Sequence, residues 1–224
     1  MTKNLISCAM IALCLNTAAN AATTHDPKYY EISDIQVTEL TTAQVEDFQI
    51  ADNPIADQID QVDIILDKII NIGKKVWAIA ELGRPVYDYT TEAATALPYG
   101  VKSWKSLQSW QPLKSSTWSV SYKNGYGAEV VKFEYKVVYL AGGNLNGKGK
   151  YIGYAIVMPV KLNVAWGFTF NAMASVPVVY NIGTNEDPVA AMSLDIKWSV
   201  DTVLKHIEQT EVFNLTATGE LKRM

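Results

Sequence analysis

Residues 130–140 read Val-Val-Lys-Phe-Glu-Tyr-Lys-Val-Val-Tyr-Leu, and their alternation decides the fold class. Val131, Phe133, Tyr135, Val137 and Tyr139 fall on one side of an extended chain, while Lys132, Glu134 and Lys136 fall on the other. Successive side chains of a strand point to opposite faces, so this is a strand with one buried and one wet face. The same period of two recurs downstream. Ile152, Tyr154, Ile156, Met158, Val160 and Leu162 form one series, and Val164, Trp166, Phe168 and Phe170 form the next. Pro159 or Asn163 is expected to mark a bend between them, because a single strand of that length exceeds ordinary dimensions. Met192, Leu194, Ile196, Trp198 and Val200 make another run, and Phe213, Leu215 and Ala217 a last one. Asn124-Gly125, the stretch Gly142 to Gly149 and Gly183-Thr184-Asn185 supply turns.

Upstream of this region the period changes. Tyr30 to Val37 reads as a first strand, and 41–53 as a polar loop or short helix. Asn53-Pro54 has the chemistry of a helix start, and Ile55, Ile59, Val62, Leu66, Ile69, Val76 and Ile79 recur at helical spacing, opposite Asp57, Asp60, Asp63 and Asp67. The spacing predicts an amphipathic helix over about 54–82, bent at Gly73 and stopped by Gly83 and Pro85. Residues 201–210 fit either a short helix or a hairpin. The expected fold is α+β and β-dominated: an antiparallel β-sandwich or curved sheet of about seven or eight strands, with one N-terminal amphipathic helix packed against it.

The first 21 residues have the layout of a cleavable secretion signal: Lys3, an apolar run from Leu5 to Leu15, and Ala19-Asn20-Ala21 before the break. A single β-rich domain over 22–224 follows. Export to a bacterial periplasm, cell surface or medium is the expected destination. The longest later apolar stretch, Ile64 to Leu82, carries five charges, so no integral membrane helix is expected. Both cysteines, Cys8 and Cys14, lie in the leader, which leaves the mature chain without disulfides, zinc–thiolate sites or a thiol nucleophile. Without Lys3 the 19 basic side chains fall to 18 against 23 acidic ones, an acidic balance that argues against nucleic acid and against purely electrostatic docking on anionic lipid.

No catalytic or metal constellation stands out, and no cofactor is expected. Gly142 to Gly149 nearly spells a phosphate loop, but Gly149 stands where a metal-binding hydroxyl is needed and a strand follows where a helix should. His25 and His206 are the only histidines, so neither a multi-histidine metal site nor a recognisable serine triad is available. Glu129, Glu134, Asp195, Glu208 and Glu211 supply carboxylates for polymer hydrolysis without singling out a pair. The balance is against an enzyme.

The remaining signal is aromatic. Between Tyr87 and Tyr126 the chain carries eight Tyr and Trp residues, and Tyr99, Trp104, Trp110 and Tyr126 are the candidate ligand-binding residues. Trp104 and Trp110 lie in a Ser/Lys/Gln-rich stretch without alternation, where a ring is harder to bury. The leading expectation is a non-enzymatic exported binding or interaction module, its partner a carbohydrate, a lipid surface or a protein. A secreted membrane-active or pore-forming protein using 151–176 as a β-hairpin is the alternative, and a hydrolase of envelope or extracellular polymer the third. Exposure discriminates: rings on a concave face suit sugar, and rings at one convex tip suit lipid.

Overall fold

A computed structural model describes residues 26–44, 63–87 and 93–224. The expected secretion signal, His25, Asp57, Asp60 and the expected helix start at 53–62 lie outside the described residues. The chain runs through a one-turn helix, α1 (Pro27–Tyr30), into β1 (Ile32–Gln44), β2 (Ile65–Ile70), β3 (Val76–Glu81), β4 (Arg84–Pro85) and β5 (Ala94–Tyr99). A 3₁₀ turn at Trp104–Ser106 precedes β6 (Lys114–Asn124), β7 (Glu129–Leu145), β8 (Lys148–Val164) and β9 (Thr169–Ser175). β10 (Val179–Asn181), β11 (Ala190–Asp201), β12 (His206–Thr216) and β13 (Leu221–Arg223) complete it.

The strands form two antiparallel sheets. One has six strands in the order β1-β6-β7-β8-β5-β2, and the other seven in the order β13-β12-β11-β9-β3-β4, with β10 also on β11. The β-dominated sandwich expected from alternation is what the chain adopts. Its interior is built by the faces that the alternation picks out. Phe133 meets Phe170 across the sheets at 4.9 Å, and Trp118 meets Phe213 at 5.1 Å. Two indoles stitch the layers: Trp198 Nε1 donates to Tyr122 Oη at 2.8 Å and Trp77 Nε1 to the Val157 carbonyl at 3.0 Å.

The expected helix over 54–82 is corrected where it can be seen. Residues 65–70 and 76–81 are strands, and the described helical turns are only Pro27–Tyr30 and Trp104–Ser106. The helical spacing was carried largely by isoleucines, whose branched Cβ suits a pleated surface, and pairing of β2 with β5 outweighs the spacing. Gly73 lies in the turn joining two strands. A Cβ there would sit 1.8 Å from the Ala93 carbonyl oxygen, so the close approach requires glycine. Two boundaries also move. β8 runs unbroken through Pro159, where Tyr135 pairs with Pro159 and Glu134 with Lys161, leaving Val160 as a bulge that absorbs the proline. The bend falls at 165–168, and it carries the chain from one sheet to the other, so 151–176 is not a hairpin: β8 pairs with β7 and β5, β9 with β11 and β3. Residues 201–206 close the β11–β12 hairpin.

Candidate functional site

The four aromatic candidates do not assemble into one site. Trp104 and Trp110 are brought together edge to face, with centroids 6.2 Å apart and planes at 76°. They lie on glycine backbone: a Cβ on Gly143 would meet the Trp110 ring at 2.4 Å, and one on Gly153 would meet Trp110 at 2.7 Å and Trp104 Cβ at 3.0 Å. Trp110 Nε1 is buried and has no hydrogen-bond partner among the described residues, so the ring offers no N–H to an outside ligand. Beneath them the outward face of β7 and β8 changes from Lys132, Glu134 and Lys161 to buried Val138, Leu140, Tyr154 and Ile156. The 101–113 segment is anchored to β7 beside this patch, by Gln108 N to Asn144 O at 3.0 Å and Gln111 N to Ala141 O at 2.9 Å. Tyr99 pairs with Ile65 at the same end, its ring 4.0 Å from Lys68 Nζ. Tyr126 is at the other end of the sandwich, in the β6–β7 turn.

Among the described residues, that other end holds the most exposed apolar side chains of the turns. Register places four turns there: β6–β7, β8–β9, β3–β4 and β11–β12. Val131 pairs with Val164, Thr169 with Asp201, and Gly83 N donates to Phe170 O at 2.8 Å. Each turn tip carries a large apolar residue: Leu82 is 77% exposed, Trp166 75%, Leu204 58%, Tyr126 57% and Val203 55%.

These tips are held, not loose. Tyr29 Oη donates to the Trp166 carbonyl at 3.2 Å, and the Tyr29 and Tyr30 rings pack on Phe168 at 5.6 and 5.9 Å. Gly167, at φ 83°, rests on the Tyr30 ring and turns the chain so that Phe168 enters the core while Trp166 leaves it. Leu82 has φ 49°, a left-handed conformation that costs a branched residue on the order of 1–2 kcal/mol. Asn171 Oδ1 fixes it by accepting from Leu82 N at 2.8 Å. Thr202 Oγ1 accepts from Leu204 N and Lys205 N at 3.1 and 2.9 Å and so closes the third tip. Tyr126 Oη donates to Asp26, and Lys28 Nζ stands 4.8 Å over its ring. That hydrogen bond, and then the Lys28 amide on the same carboxylate, lowers the Asp26 pKa, and the same bond to Asp26 raises that of Tyr126. Arg84 and Lys205 adjoin Leu82 and Leu204 and make no ion pair among the described residues.

The expected carboxylates are dispersed. Glu129 accepts from Ser121, Glu134 pairs with Lys132, Asp195 accepts from Ser193, and Glu211 binds the Arg223 guanidinium. His206 sits between Asp201, on Nδ1, and Glu208, on Nε2 at 3.1 Å. The bond to Asp201 first, and then that to Glu208, raises its pKa, and with both nitrogens engaged the ring is not placed to take a proton from a nucleophile. Gly142 to Gly149 covers the end of β7, the Asn146-Gly147 turn and the start of β8, with Gly147 N donating to Asn144 Oδ1 at 2.8 Å. Among the described residues no group of three or more acidic, His or Cys side chains is disposed to hold a metal ion.

No family model, curated protein or solved structure matches the chain. The site therefore has to be read from its own chemistry. Sequence reasoning missed Trp166 because Val164, Trp166, Phe168 and Phe170 keep period two straight through the turn. The available signal was Gly167, lodged between two large aromatics.

Proposed function

We propose that the protein is a non-enzymatic binding module, exported as its first 21 residues suggest, that docks on the surface of a lipid bilayer through the Trp166 end. One observation carries the reading: four turns from both sheets present exposed apolar tips at one end, on fixed backbones. Isolated exposed apolar residues are ordinary, but a rimmed cluster marks an interaction surface. The tips come from four separate turns, each with its own side chain standing out in water, an arrangement that suits a fluid partner. Trp and Tyr suit the boundary between hydrocarbon and headgroups, and Lys28, Arg84 and Lys205 have stems long enough to keep their charges in the headgroup layer.

Apolar insertion supplies the affinity. Glu81, Asp201 and Glu208 offset the basic residues nearby, in line with the acidic balance of the chain. Among the described residues no helix is long and apolar enough to cross a membrane. A spanning hairpin from 151–176 would first have to unpair β8 from β7 and β5, and β9 from β11 and β3, which favours docking over insertion. Flotation of the purified protein with phosphatidylcholine vesicles tests the reading. Binding that survives high salt and is lost in Trp166→Ala supports it; a protein that stays with the soluble fraction in every lipid composition sinks it.

A further inference from the structure

The outer face of the seven-stranded sheet carries a groove of about 500 Å³ that begins beside Leu82, one of the docking tips. That volume lies within the range of small-ligand sites. Its floor is apolar, with Ala78 paired to Met173, and its walls are polar. On β11 and β12, Lys197 pairs with Thr210 and Ser199 with Glu208, so all four side chains face the groove. Lys197 and Glu208 are thus diagonal neighbours, about 7–8 Å apart at Cα. The two opposite charges do not pair with each other: Glu208 is held by His206 at 3.1 Å, and Lys197 makes no ion pair among the described residues.

An unpaired cation and a fixed anion on one wall, above an apolar floor, form the complement of a zwitterion. The geometry points to a binding site for a zwitterionic phospholipid headgroup, a phosphate joined to an amine by a short carbon bridge. The phosphate sits on the Lys197 ammonium with Ser199 and Thr210 as hydroxyl donors, and the amine sits at Glu208. Position supports a lipid source. Ser199 and Glu208 stand two residues from the hairpin end, about 7 Å by strand rise, and a headgroup layer is roughly 5–8 Å deep. Lys197 is one step further along, on a stem that reaches back. This inference rests on the docking reading, because the Trp166 end has to face the bilayer for a headgroup to meet the groove.

Titration of phosphorylethanolamine into the full-length protein, followed by NMR shifts, tests the site without a membrane. Saturable binding is expected, weakened about fivefold or more by Lys197→Gln and by Glu208→Gln and unchanged in Trp166→Ala. The vesicle arm separates a lipid from the free compound: Lys197→Gln is expected to weaken flotation with phosphatidylethanolamine-containing vesicles by about the same factor. Vesicle binding without any response to phosphorylethanolamine overturns the groove site and leaves docking intact. Inorganic phosphate bound as tightly as phosphorylethanolamine overturns the role of Glu208, and headgroup binding in solution with no effect of Lys197→Gln on vesicles overturns the lipid source.

Discussion

The two ends of the sandwich use aromatic and polar residues in opposite ways. At the Trp104 end the described turn tips are mostly polar, namely Asn146-Gly147, Thr184 to Asp187 and Thr218 to Glu220, with Ile182 at 50% and, beside Tyr99, Ile64 at 48% and Ile65 at 42% as exposed apolar exceptions. They bond to neighbouring chain: Gln111 Nε2 to Thr218 O at 3.3 Å, Lys114 Nζ to Gly219 O at 3.2 Å, and Gly149 N to Asp187 Oδ1 at 3.0 Å. The indoles there lie on glycine backbone. At the Trp166 end, hydrogen bonds and ring packing fix the turn backbones and hold apolar side chains out in water. The contrast shows that exposure separates a packed aromatic such as Trp110 from a solvent-facing one such as Trp166, which local polarity in the sequence does not.

The largest effect that would break this contrast is on stability. Trp110→Ala removes a ring that fills the space above Gly143 and Gly153, at an expected cost of about 3 kcal/mol, or roughly 6–12 °C in thermal midpoint for a chain of this size. Vesicle binding of the folded protein should be unchanged. A Trp110→Ala protein with wild-type melting and lost binding would reverse the roles of the two ends.

Trp166→Ala is the mirror experiment. Withdrawing one indole from the interface is expected to weaken vesicle partitioning by about 2 kcal/mol, roughly 30-fold, while the melting temperature stays within about 2 °C. Tyr29→Phe sharpens the claim that the tip is held in place. It deletes the hydrogen bond to the Trp166 carbonyl and should weaken vesicle binding by about 1 kcal/mol, roughly fivefold, with every tip side chain still present; hydrogen exchange at 165–168 reads the loosening directly.

The smallest effect is the pH dependence of the third tip. The carboxylates of Asp201 and Glu208 raise the folded pKa of His206 above its ordinary 6.5. Its contribution is therefore fully present below that value and is lost as pH rises through the folded pKa. Hydrogen exchange at 202–205 should quicken slightly across that rise. Asp26 has the opposite sign: its pKa is lowered, so its cap on α1 persists above about 3.8 and is lost as pH falls through the depressed value.

The sheets were legible because alternation in 130–140 and its successors reports a face, and each face found its partner. The 54–82 reading failed because Ile64, Ile65, Ile69, Ile70 and Ile72 satisfy either period, and only the distant β5 and β9 select strands. The candidate site was legible for Tyr126 alone. Its turn was marked by Asn124-Gly125, whereas Trp166 was concealed in a series that looks like strand, and Leu82 in one that looks like helix. Trp104 and Trp110 drew attention through polar neighbours, and nothing local reveals that Gly143 and Gly153, far along the chain, leave room beneath them.

The most direct test uses brominated phosphatidylcholine as a quencher of tryptophan fluorescence, comparing the wild type, with its six tryptophans, against Trp166→Phe, Trp104→Phe and Trp110→Phe. Quenching is expected in the wild type, lost in Trp166→Phe and retained in the other two. Quenching that survives Trp166→Phe and vanishes when Trp104 or Trp110 is replaced would show that the wrong end has been assigned to the membrane.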